Sequence, residues 1–153
     1  METYFPFNQI LNNIILWAKR WEEIILNEGK SLNQEQLNLA ARLNIQHPEK
    51  IRVLVKKVIP VPPEPAVVAA AKTQGLDLNS TAGITFGYGI VILESRADDL
   101  KLLTHELVHV KQYESLGFED FLKKYISECL ILGYNNCSLE IEAVELTDKI
   151  FKT

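Results

Sequence analysis

Apolar residues at Ile10, Leu11, Ile14, Ile15, Trp17, Ala18, Trp21, Ile24 and Ile25 recur at intervals of three and four. That spacing gathers side chains along one side of a helix. It predicts a helix over residues 8–27, ended by Gly29. Leu32, Leu37, Ala40, Ala41 and Leu43 predict a second helix over 31–43. Pro48 marks the first turn of a short element, and residues 51–59 read as a strand, with Val53 and Val55 alternating with other side chains. Pro60, Pro62, Pro63 and Pro65 follow closely, a run that neither a helix nor a sheet can continue. The run is expected to form a stiff crossover. It also marks a candidate boundary between two parts of one compact unit, residues 1–60 and 61–153.

Beyond the prolines, residues 67–73 predict a short helix ended by Gly75. Residues 83–93, rich in β-branched and aromatic side chains, predict one strand, in which Gly87 and Gly89 mark a bulge or a close backbone approach. Ser95 is the expected N-cap of the next helix, with Asp98 completing a capping box. That helix is predicted over 96–116 and ends at Gly117. Another is predicted over 118–132 and ends at Gly133. The last is predicted over 137–151, capped by Asn136 or Ser138. The pattern as a whole describes an α+β fold that is mostly helical.

Composition narrows the function. The 153 residues, 47% of them apolar, suffice for a buried core without disulfide staples. Residues 1–60 hold 8 Lys and Arg against 6 Asp and Glu, and residues 61–153 hold 8 against 14. The net charge of −4 and this acidic second part argue against a nucleic-acid partner, which needs clustered cations. The opening residues lack a basic region and a cleavage site, so no secretory leader is expected. No apolar run approaches the ~18 residues of a membrane span. Cys129 and Cys137 lack CxxC spacing and are expected to be buried, reduced thiols, which suits the cytoplasm. The glycines around residue 87 match no phosphate-binding loop.

The chemistry concentrates in His105-Glu106-Leu107-Val108-His109, an HExxH pattern that uses two of the three histidines in the chain. Residues i and i+4 of a helix share a face about 6 Å apart, so both imidazoles can reach one metal ion. Glu106 is rotated by ~100° about the axis, where it can meet a water rather than the metal. Zinc lowers the pKa of a water that it holds to ~7, and the glutamate takes its proton as general base. Zinc needs a third protein ligand. His47 lies far off before Pro48 and is expected to be a solvated loop residue. The acidic last helix offers Glu140 or Glu142, of which only one should face the metal, with Glu145 and Asp148 as weaker choices.

HExxH followed by a glutamate on a later helix resembles the gluzincin type of zinc metallopeptidase. Glu140-Ile141-Glu142-Ala143 resembles the ExxA segment of the Ste24/HtpX-like and ImmA/IrrE-like families. By that match Glu140 is the third ligand, whereas the thermolysin-type pattern, with Glu directly before Ala, selects Glu142. Both families carry Asp or Asn after the Ala. Val144 stands there in this chain, so a partner for the metal-binding histidine has to come from elsewhere. Lys111 also departs from the apolar residue that zincin signatures favour. The stretch THELVHVKQYESLG with the later LEIEA is similar to small bacterial DUF4157-like peptidase proteins, over residues 81–146.

The resemblance implies a minimal zincin-like domain over 61–153, with an active-site helix and a short sheet, and with the N-terminal helices of 1–60 packed on it. It implies a zinc-dependent metallohydrolase, a peptidase acting on peptide or protein substrates. His105, His109 and Glu140 (or Glu142) would hold Zn2+, and Glu106 would act as the base. The strand over 83–93 would line the cleft, and Tyr88, Tyr113, Tyr125 or Tyr134 would stabilise the oxyanion. Lys111 and Val144 favour an alternative: a non-catalytic zinc-binding or interaction module that keeps the scaffold. A third expectation is a protein lying on a membrane surface, anchored by Trp17 and Trp21.

Overall fold

The computed structural model describes residues 7–152. Residues 1–6, read above for a leader, lie outside them. The described residues fold into six α-helices and a four-stranded mixed sheet, so the α+β, mostly helical expectation holds.

Helix α1, Phe7–Glu28, buries Leu11, Ile14, Ile15, Ala18 and Ile25. Trp17 meets Phe86 edge-on at 5.2 Å, and Trp21 packs on the same cluster. Both tryptophans therefore belong largely to the core. No helix among the described residues is long and apolar enough to cross a membrane.

Strand β1 (Lys30–Ser31) pairs antiparallel with β2 (Arg52–Lys56), and helix α2 (Gln34–Arg42) lies between them in sequence. The helix expected from residue 31 starts later because Ser31 is committed to the sheet. Asn33 then caps α2: its side chain accepts from Gln36 N, and Gln36 Oε1 accepts from Asn33 N, each at 2.9 Å. After the prolines, α3 (Pro65–Thr73) begins with Pro65, whose missing N–H is harmless at a first helical position.

The expected single strand over 83–93 is a hairpin, β3 (Gly83–Phe86) and β4 (Gly89–Leu93). Gly87 has φ of 62° at the first position of the two-residue turn, a conformation that suits glycine and reverses the chain. Gly89 is a close approach: a Cβ there would lie 2.9 Å from Ile25 Cβ of α1. The sheet order is β1-β2-β4-β3, with β2 and β4 parallel in the register Arg52↔Gly89 to Lys56↔Leu93. The sheet thus joins residues from before and after the prolines.

Helices α4 (Leu100–Leu116), α5 (Phe118–Leu132) and α6 (Ser138–Phe151) complete the fold. The capping expectation for α4 is corrected. Residues 94–96 form a 3-10 turn, and Asp99, not Ser95, accepts from Leu102 N at 2.9 Å. The last helix uses neither Asn136 nor Ser138 as a side-chain cap. Glu128 of α5 accepts from Ser138 N at 2.8 Å instead, satisfying a free helix-end donor from outside.

Two apolar clusters lie on opposite faces of the sheet. One joins α1 and α5 to Phe86 and Val91. The other joins α2, α4 and α6 to Ile90 and Ile92. Leu107 and Val108 are fully buried in the second. Each such side chain contributes about 1.5–3 kcal/mol, which holds the HExxH turn firmly against the sheet.

Candidate metal centre

The periodicity that buries Leu103, Leu107 and Val110 against the sheet leaves His105 and His109 on another side of α4, their rings 5.0 Å apart. Helix α6 approaches α4 closely because Ala143, fully buried, offers no bulk at the contact. Its first turn then carries Glu140 to the two rings. Glu140 Oε2 lies 3.0 Å from His105 Nε2, and Oε1 lies 2.9 Å from His109 Nε2. Among the described residues, one potential ligand atom from each of the three lies within 4.8 Å of the others, so this group could hold a metal ion.

Two tyrosines complete the surroundings of Glu140. Tyr125 of α5 donates to Oε1 at 2.9 Å, and Tyr134, just beyond α5, donates to Oε2 at 3.1 Å. Burial works to raise the Glu140 pKa, but the bonds to His105 and His109 outweigh it and hold the carboxyl well below its usual range. Burial works to lower the His109 pKa, and here too the Glu140 bond and charge win, pushing it up to about 9.

Gln112 orients His109. Its Oε1 accepts from Nδ1–H at 2.8 Å, and its amide donates to Leu139 O and Glu142 Oε1, both at 2.9 Å. With one proton fixed on Nδ1, it is the Nε2–H that faces Glu140 here, and loss of that proton would leave the Nε2 lone pair to a metal ion. Glu142 therefore turns away from the histidines and supports Gln112. The signal for Gln112 was its place three residues after His109, on the same helix face.

Glu106 is buried at the cleft floor, where Thr85 Oγ1 donates to its Oε1 at 2.8 Å. Strand β3 comes close because residue 83 is glycine: a Cβ there would lie 3.2 Å from Glu106 Cγ. Desolvation raises the Glu106 pKa beyond what the histidine charges and the Thr85 bond pull back. A carboxylate with a raised pKa, next to a triad that could hold a metal ion, suits proton abstraction.

The other candidates do not join the triad. Tyr113 donates to Thr85 O at 3.2 Å, and Tyr88 to Glu114 at 2.8 Å. His47 is exposed beside Glu49, Glu145 is exposed, and Asp148 faces Lys101 at 3.5 Å. Lys111 is half-buried and lies outside the triad. Cys129 and Cys137 are buried and free.

The triad and Glu106 open into a cleft of about 810 Å³ bounded by α1, α3, α5 and β3. Within the hairpin, Leu93 N donates to Ala82 O. The antiparallel alternation then turns the N–H and C=O groups of Gly83 and Thr85 to the outer edge of β3. Tyr113 occupies the Thr85 carbonyl, and the cleft runs along this edge. No protein-family model, no curated protein and no solved structure matches the chain.

Proposed function

We propose that this chain is a zinc-dependent metallohydrolase, a peptidase of gluzincin type. The observation that carries the reading is the convergence of His105, His109 and Glu140 with the buried Glu106 beside them at the floor of one cleft. Two imidazoles and one carboxylate are a donor set that suits zinc and leaves a fourth position for water or substrate. Zinc, when bound, supplies a Lewis acid and an acidified water. The remaining work belongs to the chain. Glu106 accepts a proton, Thr85 holds its carboxylate, and Gln112 keeps His109 Nε2 available. The outer edge of β3, where Tyr113 already holds the Thr85 carbonyl, receives an extended peptide by its remaining main-chain groups. Tyr125 and Tyr134 are the two hydroxyls within reach of a developing oxyanion, since both already bond Glu140.

One feature supports the non-catalytic alternative. The Glu140 carboxylate already has four partners, His105, His109, Tyr125 and Tyr134, a self-contained buried network.

The deciding experiment pairs metal analysis with Glu106→Gln. The peptidase reading expects one zinc per chain, peptide hydrolysis by the native sequence, and a variant that keeps zinc and fold but loses hydrolysis. A chain that stays metal-free in zinc overturns both zinc readings. A zinc-loaded chain that hydrolyses no peptide supports the module.

A further inference from the structure

We infer that the cleft selects peptides with two large apolar side chains separated by one residue. The inference rests on the peptidase reading for the placement of the substrate along β3, and it goes beyond that reading in naming what the substrate must carry.

The argument begins with the two faces of the sheet. Ile84 and Phe86 belong to the cluster formed by α1 and α5, whereas the side chain of Thr85 reaches Glu106 on the α4 side. A strand added along the outer edge of β3 takes up the same alternation. Its residues i and i+2 project beside Ile84 and Phe86, and residue i+1 projects toward Glu106 and the triad.

On the side that receives i and i+2, the cleft is walled by Ile14 and Trp17 of α1, Val67 and Ala70 of α3, and Leu122 and Ile126 of α5. None of these six offers a charge, and only the Trp17 ring N–H offers a polar contact. The volume of about 810 Å³ lies in the upper part of the ~300–1,000 Å³ that ligand clefts span. That exceeds one side chain and accommodates two. Ala70 contributes to the room by being small. Of the charged residues at the rim, Arg96 pairs with Asp99 and Lys101 with Asp148, while the Asp77 carboxylate accepts from Asn79 N and Ser80 Oγ. The rim therefore makes little demand for a charged residue in the ligand. Two residues along a strand span about 6.6 Å, so the two apolar groups enter one continuous space.

The test uses synthetic ten-residue peptides that are identical except for a central Leu-Ser-Leu, Leu-Leu-Ser or Ser-Leu-Ser. Affinity is measured on zinc-loaded Glu106→Gln and again on metal-free chain. Leu-Ser-Leu is expected to bind at least about tenfold more tightly than Leu-Leu-Ser, the difference of one leucine buried or exposed. Ala70→Trp, which fills the space, and Val67→Glu, which charges it, should each abolish that preference. Circular dichroism would show whether either variant still folds. Equal affinity for the three peptides on both forms overturns the inference. The peptidase reading fails separately: if native, zinc-loaded chain prefers Leu-Ser-Leu but cleaves none of the peptides, the cleft selectivity stands without hydrolysis. If it cleaves all three alike, hydrolysis stands and the selectivity falls.

Discussion

Gln112 Oε1 lies 2.8 Å from His109 Nδ1, and the same amide donates to Leu139 O at the start of α6. One side chain therefore sets the tautomer of a candidate ligand and ties the helix carrying that ligand to the helix carrying Glu140. The outer partner of a metal-binding histidine usually contributes 10- to 100-fold in metal affinity. Gln112→Ala is expected to weaken zinc binding by about that factor, measured by competition with a chelating dye. It should also lower stability by about 1–3 kcal/mol, because Leu139 O loses its buried donor. Gln112→Glu can still accept from Nδ1–H but loses both amide donations, so it should recover part of the zinc affinity without recovering the stability.

Glu140 and Glu142 are two residues apart and have opposite roles. Glu140 touches both histidines, and Glu142 touches Gln112. Glu140→Ala should abolish stoichiometric zinc binding. Glu142→Ala should retain zinc and reduce affinity only slightly, since Glu142 is exposed and acts through Gln112. Atomic absorption on the two dialysed variants checks this. Equal loss from both would place the ligand assignment in error.

Much of this arrangement was legible along the chain. Periodicity outlined α1, α4, α5 and α6, because each buries a long apolar stripe whose spacing is a local property. HExxH was legible for the same reason: its two imidazoles meet through helix geometry alone. The choice between Glu140 and Glu142 depended on how α6 is rotated against α4, which Ala143 determines through a tertiary contact. The hairpin read as one strand because Gly87 reverses the chain within an otherwise continuous β-favouring run. The start of α4 was misplaced because Ser95 and Asp99 both have capping side chains, and only the folded chain shows which one reaches an N–H. Gln112, Thr85 and the two tyrosines on Glu140 act through contacts between elements distant in sequence.

The turn at Gly87 supplies a stability prediction. Its φ is 62°, and a Cβ there would run into the Glu22 carboxylate, which accepts from Tyr88 N at 2.9 Å. Gly87→Ala therefore adds left-handed strain of about 1–2 kcal/mol and displaces Glu22 from a partly buried hydrogen bond. A loss of at least about 2 kcal/mol in urea unfolding is expected. Because the turn connects the site-facing β3 to β4, any peptide affinity should fall with it.

Asp99 supplies the pH dependence of the helix that carries the histidines. The Leu102 N–H bond and the Arg96 guanidinium hold its carboxyl below the ordinary range. A carboxylate whose folded-state pKa is depressed adds stability that is complete above the unfolded pKa of ~3.9 and disappears as pH falls through the lower folded value. Asp99→Ala should thus lower stability by about 1 kcal/mol at neutral pH. The gap between variant and native chain should hold constant from about pH 8 to pH 5. It should close as pH falls below ~3.9, where the native cap becomes protonated. Asp99→Asn keeps an N-cap acceptor without a titrating charge, so it should show a smaller neutral-pH loss and a weaker pH dependence over this acid range. Urea unfolding of the three chains at stepped pH would check the sign. A gap that widens toward acid would show that the Asp99 carboxylate is not what stabilises the start of α4.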